Sequence, residues 1–225
     1  MKYYAIIVAG GSGTRMNTAE AKQFLLLNDL PILMHTLNAF HQCDVNPEIV
    51  LVLNIDQHQY WTDLCTKYQF TVPLQLVKGG EQRYHSVKNG LKLIKGTAIV
   101  AVHDAVRPLV SVDLIAASFK IAEAEGNAVA AIRPVDSIRI TQANETRAIN
   151  REDVYLIQTP QTFQLAQLKK AYEQPFRNGF TDDASVVEKA GFPIQLIEGE
   201  RENLKITYPV DLELASLLLQ KKGSC

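Results

Sequence analysis

No stretch of this chain is apolar for long enough to cross a bilayer as a helix, which takes about 20 residues. The first residues also lack the basic start and apolar run of a secretory leader, so a soluble cytoplasmic protein is the expectation. Cysteine is scarce. Cys43, Cys65 and Cys225 are odd in number and stand at no metal-binding spacing, which argues against a disulfide framework and for reduced, mostly buried thiols. An excess of either charge is missing too. The 23 Lys and Arg against 24 Asp and Glu leave a formal net charge of −1, which disfavours a basic nucleic-acid binder and still allows a local cationic pocket. Internal repeats and low-complexity segments are absent. With 47% hydrophobic and 21% charged residues, the 225-residue chain can fill a core and reads as one domain spanning residues 1–225.

The chain is organised around Ala5 to Phe24. The apolar run Ala5-Ile6-Ile7-Val8 reads as a buried strand and stops at Ala9-Gly10-Gly11-Ser12-Gly13, with Arg15 and Lys22 close behind. Glycine lets backbone N–H groups turn inward against phosphate oxygens, Arg15 offers a planar fork of donors, and Lys22 a mobile point charge. The loop ends Gly13-Thr14-Arg15, not in the Gly-Lys-Ser/Thr of a Walker loop, and Met16 stands where a dinucleotide fingerprint needs its third glycine. An ordinary glycine turn would account for the glycines alone; the two cations turn the reading toward phosphate.

Further along, Pro31 opens a helix carrying Leu33, Leu37 and Phe40. The unalternating run Ile49–Leu53 reads as a strand covered on both faces. Asp56 is the expected cap of the next helix, which reaches about Tyr68, and Leu74–Val77 is a third strand. Lys78-Gly79-Gly80-Glu81-Gln82-Arg83 is then a second glycine turn at a strand end, with Ser86 in the first turn of the following helix. Two such units suggest two walls of one nucleotide site, because open α/β sheets bind ligands beyond their strand C-termini. The strand Ile99–Val102 runs into His103-Asp104-Ala105-Val106-Arg107-Pro108, where Asp104 and Arg107 serve either chemistry or a structural clamp. Ser111 caps a helix that ends at Gly126, and Ala128–Ile132 is a further inner strand. This alternation predicts a doubly wound, mostly parallel α/β sheet flanked by helices.

The pattern changes at Arg133. From about Asp136 to Arg151 the residues read as an exposed hairpin with little core of its own, which leans on something, most economically a second copy of the chain. Val154–Ile157 returns to the sheet. Helices are expected over Leu165–Glu173 and Asp182–Ala190, with Thr181 as candidate cap of the second. Strands are expected at Pro193–Ile197 and Asn203–Thr207, and a last helix from Pro209 to about Leu219. Lys205, interrupting an apolar run, either snorkels or faces a site.

Taken in order, Ala9-Gly10-Gly11-x-Gly13-x-Arg15, Lys22-Gln23, Gly79-Gly80-x-x-Arg83-x-x-Ser86, His103-Asp104-Ala105-x-Arg107-Pro108, Asp136-Ser137, Thr159-Pro160-Gln161, Thr181-Asp182-Asp183-Ala184-Ser185 and Asn203-x-Lys205 resemble the family of 2-C-methyl-D-erythritol 4-phosphate cytidylyltransferases over essentially the whole chain. Two departures, Val8 ahead of Ala9-Gly10-Gly11 and Ala21 where a proline usually precedes the lysine, touch backbone stiffness and not charge. The resemblance implies a Rossmann-like domain that joins CTP to methylerythritol phosphate with release of pyrophosphate. It also implies a homodimer in which a β-arm completes the partner's site; residues 136–151 fall where that arm belongs. Arg15, Lys22, Arg151 and Lys205 would carry catalysis on the phosphates. Ala9, Gly10, Gly11, Gly80, Glu81 and Ser86 would form the cytosine and ribose pocket, with Arg83 supporting that loop. Asp104, Ala105 and Arg107 would hold the polyol, with Ser137 from the arm and Thr159 ordering its base. Mg²⁺ is expected on the CTP phosphates, with no protein metal site and no nucleic-acid or membrane partner. The chemistry itself asks for no general base, since an attacking phosphate oxygen is already ionised near neutral pH. Ribitol-5-phosphate cytidylyltransferase shares the motifs, and a non-catalytic CTP-binding regulator is the alternative from another class.

Overall fold

A computed structural model describes residues 1–10, 20–142 and 145–222. Its central strands show why alternation is hidden in the sequence. β1 (Lys2–Val8), β2 (Leu26–Leu27) and β3 (Leu30–Pro31) open the chain, followed by α1 (Ile32–His41), β4 (Glu48–Leu53), α2 (His58–Lys67), β5 (Gln75–Lys78), α3 (Arg83–Leu91), β6 (Ala98–Asp104), α4 (Val112–Glu125) and β7 (Asn127–Ile132). Odd positions of β1, β4 and β6, among them Ala5, Ile7, Leu51, Ile99 and Ala101, pack with Leu33, Phe40, Trp61 and Phe119 from α1, α2 and α4. Even positions, among them Ile6, Val50, Val52, Val100 and Val102, pack on the opposite face with Val87 and Leu91 of α3. Both faces are therefore core, and the period of two is written in side-chain size alone.

The remaining elements are the hairpin β8 (Ile138–Gln142) and β9 (Glu145–Ile149), then β10 (Leu156–Gln164), α5 (Leu165–Ala171), α6 (Asp183–Lys189), β11 (Leu196–Glu198) and α7 (Pro209–Lys222). The seven-stranded sheet runs β11-β7-β10-β6-β1-β4-β5. Every pairing is parallel except those of β10, which lies antiparallel between β6 and β7. The mostly parallel, helix-flanked α/β architecture expected from the sequence is present. β4 and β5 extend to one side of β1 and β6 to the other, so the order reverses at β1. No residue of β8 or β9 is buried, as the polar composition foretold.

Several local expectations change. Asp56 is not a cap: Asn54 accepts from the Asp56 N–H at 3.3 Å, a 3₁₀ turn covers Ile55–Gln57, and α2 starts only at His58. Asp182, not Thr181, caps α6, in a reciprocal box with Ser185. Strand β10 starts later than expected, at Leu156, and continues through Gln164; its register with β7 shifts between Ile157 and Gln161, where Pro160 has no N–H to offer a ladder. Residues 203–207 form no strand. The segment is a strap whose Ile206 N–H donates to the Val106 carbonyl at 2.9 Å while side chains hold the rest. Gln158 brackets Glu200, donating to its carbonyl at 2.8 Å and accepting from its N–H at 3.2 Å, and Asn203 donates to the Thr159 carbonyl at 2.8 Å.

Ser111 ties this strap to α4. Its hydroxyl caps the helix, accepting from Leu114 N–H at 3.0 Å, and it also donates to the Glu200 carboxylate. Ser111→Ala is expected to lower the unfolding free energy by about 1–2 kcal/mol, at the upper end for a cap because Glu200 loses a donor as well. Urea denaturation of the two proteins measures the difference.

Candidate active site

The site begins with backbone. Val8 at the end of β1 is level with Val52 of β4 and Asp104 of β6. The ladder continues one step further, Ala9 N–H to Val52 carbonyl at 2.9 Å, Ala105 N–H to Val8 carbonyl at 3.1 Å, and Gly79 N–H to Leu53 carbonyl at 2.8 Å. Beyond that level the connections diverge, because β1 is the strand at which the sheet order reverses, and a crevice opens.

Among the described residues, two cavities line it. The first, about 340 Å³, is lined by Ala9, Gly10, Lys22, Glu81, Arg83, Asp104, Ala105 and Lys205, together with Gln23 and Gln82. The second, about 260 Å³, is lined by Arg107, Thr159, Gln161, Thr181 and Asp182. Arg83, Asp104 and Lys205 belong to both and form the partition. Among the described residues each lobe has one more cation than carboxylate: Lys22, Arg83 and Lys205 against Glu81 and Asp104 in the first, Arg83, Arg107 and Lys205 against Asp104 and Asp182 in the second. Each is thereby suited to an anionic ligand.

The two glycine turns meet as the first lobe's wall. A Cβ on Gly10 would stand 3.3 Å from the Ser86 hydroxyl, and one on Gly80 would collide with the His85 Cβ at 2.3 Å. Ser86 is buried; its hydroxyl accepts from Gly80 N–H at 3.0 Å and donates to the Gln82 carbonyl at 3.2 Å. Ser86 and Gly80 thus brace the wall from behind and do not line the cavity, unlike Glu81. Lys22 is presented by its neighbours. Gln23 and Phe24 are buried, and the Gln23 amide donates to the Ala9 carbonyl at 3.1 Å and to Gln57 Oε1 at 2.9 Å, which leaves Lys22 at the rim with its ammonium 3.4 Å from the Ile206 carbonyl.

Asp104 is the electrostatic centre. It is 8% exposed, and three cations reach its carboxylate: Lys205 Nζ at 3.0 Å, Arg107 Nε at 3.4 Å and Arg83 Nε at 3.5 Å. Burial by itself would raise this carboxyl, but the charges of Arg83, Lys205 and Arg107 outweigh it and hold Asp104 well below the usual carboxylate range. Lys205 therefore faces the site. Arg107 is fixed on its other edge, donating from Nη1 to the Asn203 carbonyl at 2.7 Å. The Asp104 N–H donates to Thr159 Oγ1 at 3.1 Å, so Thr159 is tied to the partition itself. Arg83, expected to support its own loop, instead reaches away from it, pairing with Asp183 Oδ2 at 2.6 Å.

Ser137 and Arg151 stand apart from both lobes. Ser137 is exposed at the entry to the hairpin, and Arg151 at its exit donates to the Val135 carbonyl at 2.7 Å beside Glu152. Gly11 and Arg15 lie outside the described residues. Gln82, Gln161, Thr181 and Asp182 line the cleft beside the expected ligand contacts. The run Thr181–Ser185 was the available signal. Among the described residues no three His, Cys, Asp or Glu side chains converge on a common point.

The sequence matches the family description 2-C-methyl-D-erythritol 4-phosphate cytidylyltransferase over residues 3–221. Relatives carrying that name include a protein of Porphyromonas gingivalis, 50% identical over 220 residues (97% of this chain, 98% of that one), and one of Bacteroides fragilis, 47% identical over 215 residues (96% and 98%). Among solved structures, the fold is similar to 4-diphosphocytidyl-2C-methyl-D-erythritol synthase from Anaerococcus prevotii (TM-score 0.82, 28% identity, 97% of this chain and 99% of that one). It is also similar to 2-C-methyl-D-erythritol 4-phosphate cytidylyltransferase from Thermus thermophilus (TM-score 0.79, 29% identity, 98% and 100%).

The histidine beside Asp104 yields a pH prediction. His103 is fully buried, its ring 5.0 Å from that of Phe40 and its Nε2 3.3 Å from the Arg107 carbonyl. Burial pushes its imidazole down to about 3, the Asp104 charge opposing only in part. Between about pH 6.5 and that value the unfolded chain binds a proton here that the folded chain does not, so stability rises with pH through this window and is lost on acidification. Asp104 acts in the same direction below the ordinary carboxylate range. The His103 ring resonances are expected not to titrate between about pH 7.5 and 4.5, while urea unfolding becomes easier below about pH 6.5. A folded-state His103 titrating near its ordinary value would contradict the assignment.

Proposed function

The chain belongs to the 2-C-methyl-D-erythritol 4-phosphate cytidylyltransferase family, and from that premise we propose how the two-lobed cleft carries out the family's reaction. The enzyme transfers CMP from CTP to 2-C-methyl-D-erythritol 4-phosphate, giving 4-diphosphocytidyl-2-C-methyl-D-erythritol and pyrophosphate, a step toward isoprenoid precursors. The observation that carries the site assignment is the partition of Arg83, Asp104 and Lys205 between two lobes that each favour an anion.

CTP takes the lobe walled by the glycine turns. Ala9, Gly10, Gly11 and Glu81 hold base and ribose, with Gly80 and Ser86 bracing them, while Arg15, Lys22 and Lys205 meet the phosphates. The methylerythritol phosphate takes the lobe of Arg107 and Thr159, with Ala105 at the boundary. Asp104, kept ionised by its three cations, acts purely as an acceptor for polyol hydroxyls. A phosphate oxygen of the acceptor attacks the α-phosphorus in line. A new P–O bond forms, the bond to the α,β-bridging oxygen breaks, and its electron pair leaves with pyrophosphate. The attacking oxygen carries no proton near pH 7, so alignment and charge neutralisation supply the rate, and the buried neutral His103 is a spectator.

Mg²⁺ belongs to this reading as a companion of the nucleotide. The chain's own carboxylates do not fit a dedicated metal cage: Asp104 is shared by three cations, and Asp182 accepts from Ser185 N–H and from Gln161. The ion would be carried on the phosphates and lessen their mutual repulsion.

The hairpin is the proposed arm of a homodimer. It buries none of its described residues, and Val135, Tyr155, Leu156 and Ile157 stand exposed at its base, an apolar rim suited to a second copy. Ser137 and Arg151 then reach the partner's second lobe. The free thiols of Cys43 and Cys65 suit a reducing cytoplasm, and no helix among the described residues is long and apolar enough to cross a membrane.

With CTP and Mg²⁺, pyrophosphate is expected with methylerythritol phosphate and not with ribitol phosphate; the opposite preference would move the assignment to the polyol-phosphate relative. Lys22→Ala is expected to keep the fold and lose at least about 100-fold in turnover. Mixing Lys22→Ala with Arg151→Ala subunits is expected to restore about a quarter of wild-type activity, since half the dimers are mixed and one of their two sites is intact. No recovery in the mixture would show that each arm serves its own chain.

A further inference from the structure

Asp183 lines neither lobe, yet it is the closest partner of a residue that lines both. It is fully buried, and both its oxygens are engaged: Oδ2 accepts from Arg83 Nη2 at 2.6 Å and Oδ1 from the Tyr172 hydroxyl at 2.6 Å. Tyr172 is itself fixed, its ring stacked on Tyr84 at 4.8 Å, and the Tyr84 hydroxyl donates to the Tyr172 carbonyl at 3.0 Å. The start of α6 is held on β10 by Gln161, which donates to Asp182 Oδ2 at 2.9 Å and accepts from Ala184 N–H at 2.8 Å. Asp183 is therefore an immobile anion presented to one face of Arg83.

The distances divide the loyalties of Arg83. At 2.6 Å the contact with Asp183 is a charge-assisted hydrogen bond; at 3.5 Å the contact with Asp104 is the weaker of the two. That division leaves Asp104 chiefly to Lys205 at 3.0 Å and Arg107 at 3.4 Å. Without the Asp183 charge, Arg83 has Asp104 as its remaining nearby carboxylate and competes with Lys205 for it.

We propose that Asp183 is a positioning residue for the transfer reaction: it holds Arg83 in the partition between the lobes, so that Asp104 keeps the arrangement the acceptor substrate meets. The proposal rests on the functional reading above. It makes the Thr181–Ser185 run a working part of the site, acting through Arg83 without touching substrate.

The test is steady-state pyrophosphate release by the full chain with CTP and Mg²⁺, varying each substrate in turn, with wild type run alongside. Asp183→Asn keeps the shape and removes the charge. It is expected to raise KM for methylerythritol phosphate about tenfold while KM for CTP changes less than about threefold. Tyr172→Phe frees one oxygen and keeps the charge, and is expected to shift the same KM in the same direction by about threefold. A role confined to stability would lower the melting temperature or the active fraction and leave both KM values where they are; that result overturns the proposal. If Asp183→Asn does not fold, Tyr172→Phe decides by the same criterion. A silent wild type would overturn the functional reading itself, an outcome distinct from active variants with unchanged KM.

Discussion

The cleft depends on one buried carboxylate holding three cations. Asp104 sits at the C-terminal end of a fully buried strand, and Arg83, Arg107 and Lys205 come to it from α3, from the turn after β6 and from the strap after β11. Arg107 above all would be costly where it is without an anion, and Asp104 would be costly without its cations, since burial taxes an unpaired charge. Their mutual presence makes the arrangement tolerable. It is also why elements distant in sequence end at one point: Arg107 bonds the Asn203 carbonyl across 96 positions of chain, and Arg83 reaches Asp183 across 100.

The sheet supplies the address. Because β1 has β4 on one side and β6 on the other, the sheet order reverses there, and a crevice opens beyond the ends of these strands. A cleft so made is open to ligands and rigid in its floor, since Val8, Val52 and Asp104 are locked in one register by backbone bonds. Specificity can then be assigned to loops and charge to strand ends, with no moving part required in the floor.

Much of this was legible in the residues. Unbroken apolar runs at Ile49–Leu53 and Ile99–Val102 announced strands covered twice, and the second glycine turn with Arg83 and Ser86 announced a second wall. What escaped were the features made by side chain to backbone bonds across long separations. The strap at 203–207 looks like a strand because Leu204 and Ile206 are apolar, yet it is held by Arg107 donating to the Asn203 carbonyl and by the Asn203 amide donating to the Thr159 carbonyl and to Gln158 Oε1, and such pairing has no local period. The antiparallel insertion of β10 escaped for a related reason. A strand that contains Pro160 and is polar at Gln158, Thr159, Gln161 and Thr162 reads as a loop until the buried partners of those side chains are known. Thr181 lost the cap of α6 to Asp182 because a carboxylate one residue on completes a reciprocal box with Ser185, and sequence alone ranks the two candidates nearly equal.

A cleft that must attract a triphosphate and a second phosphate faces a difficulty before either arrives: cations packed for two anions repel one another. Asp104 resolves it by standing among them, and Asp183 takes part of the Arg83 charge from behind. The binding-ready arrangement is thus nearly compensated when empty, which keeps the cost of assembling it low. When phosphates enter, they compete with Asp104 for Lys205, whose ammonium is the most exposed of the three, with a side chain 44% accessible against 28% for Arg83 and 10% for Arg107. Lys205 is accordingly the cation that can change partners, and the two arginines are those that stay. On the proposed reading, that division suits a reaction in which charge moves along a phosphate chain: the fixed guanidiniums would keep the acceptor in place while a mobile ammonium follows the charge to the leaving group.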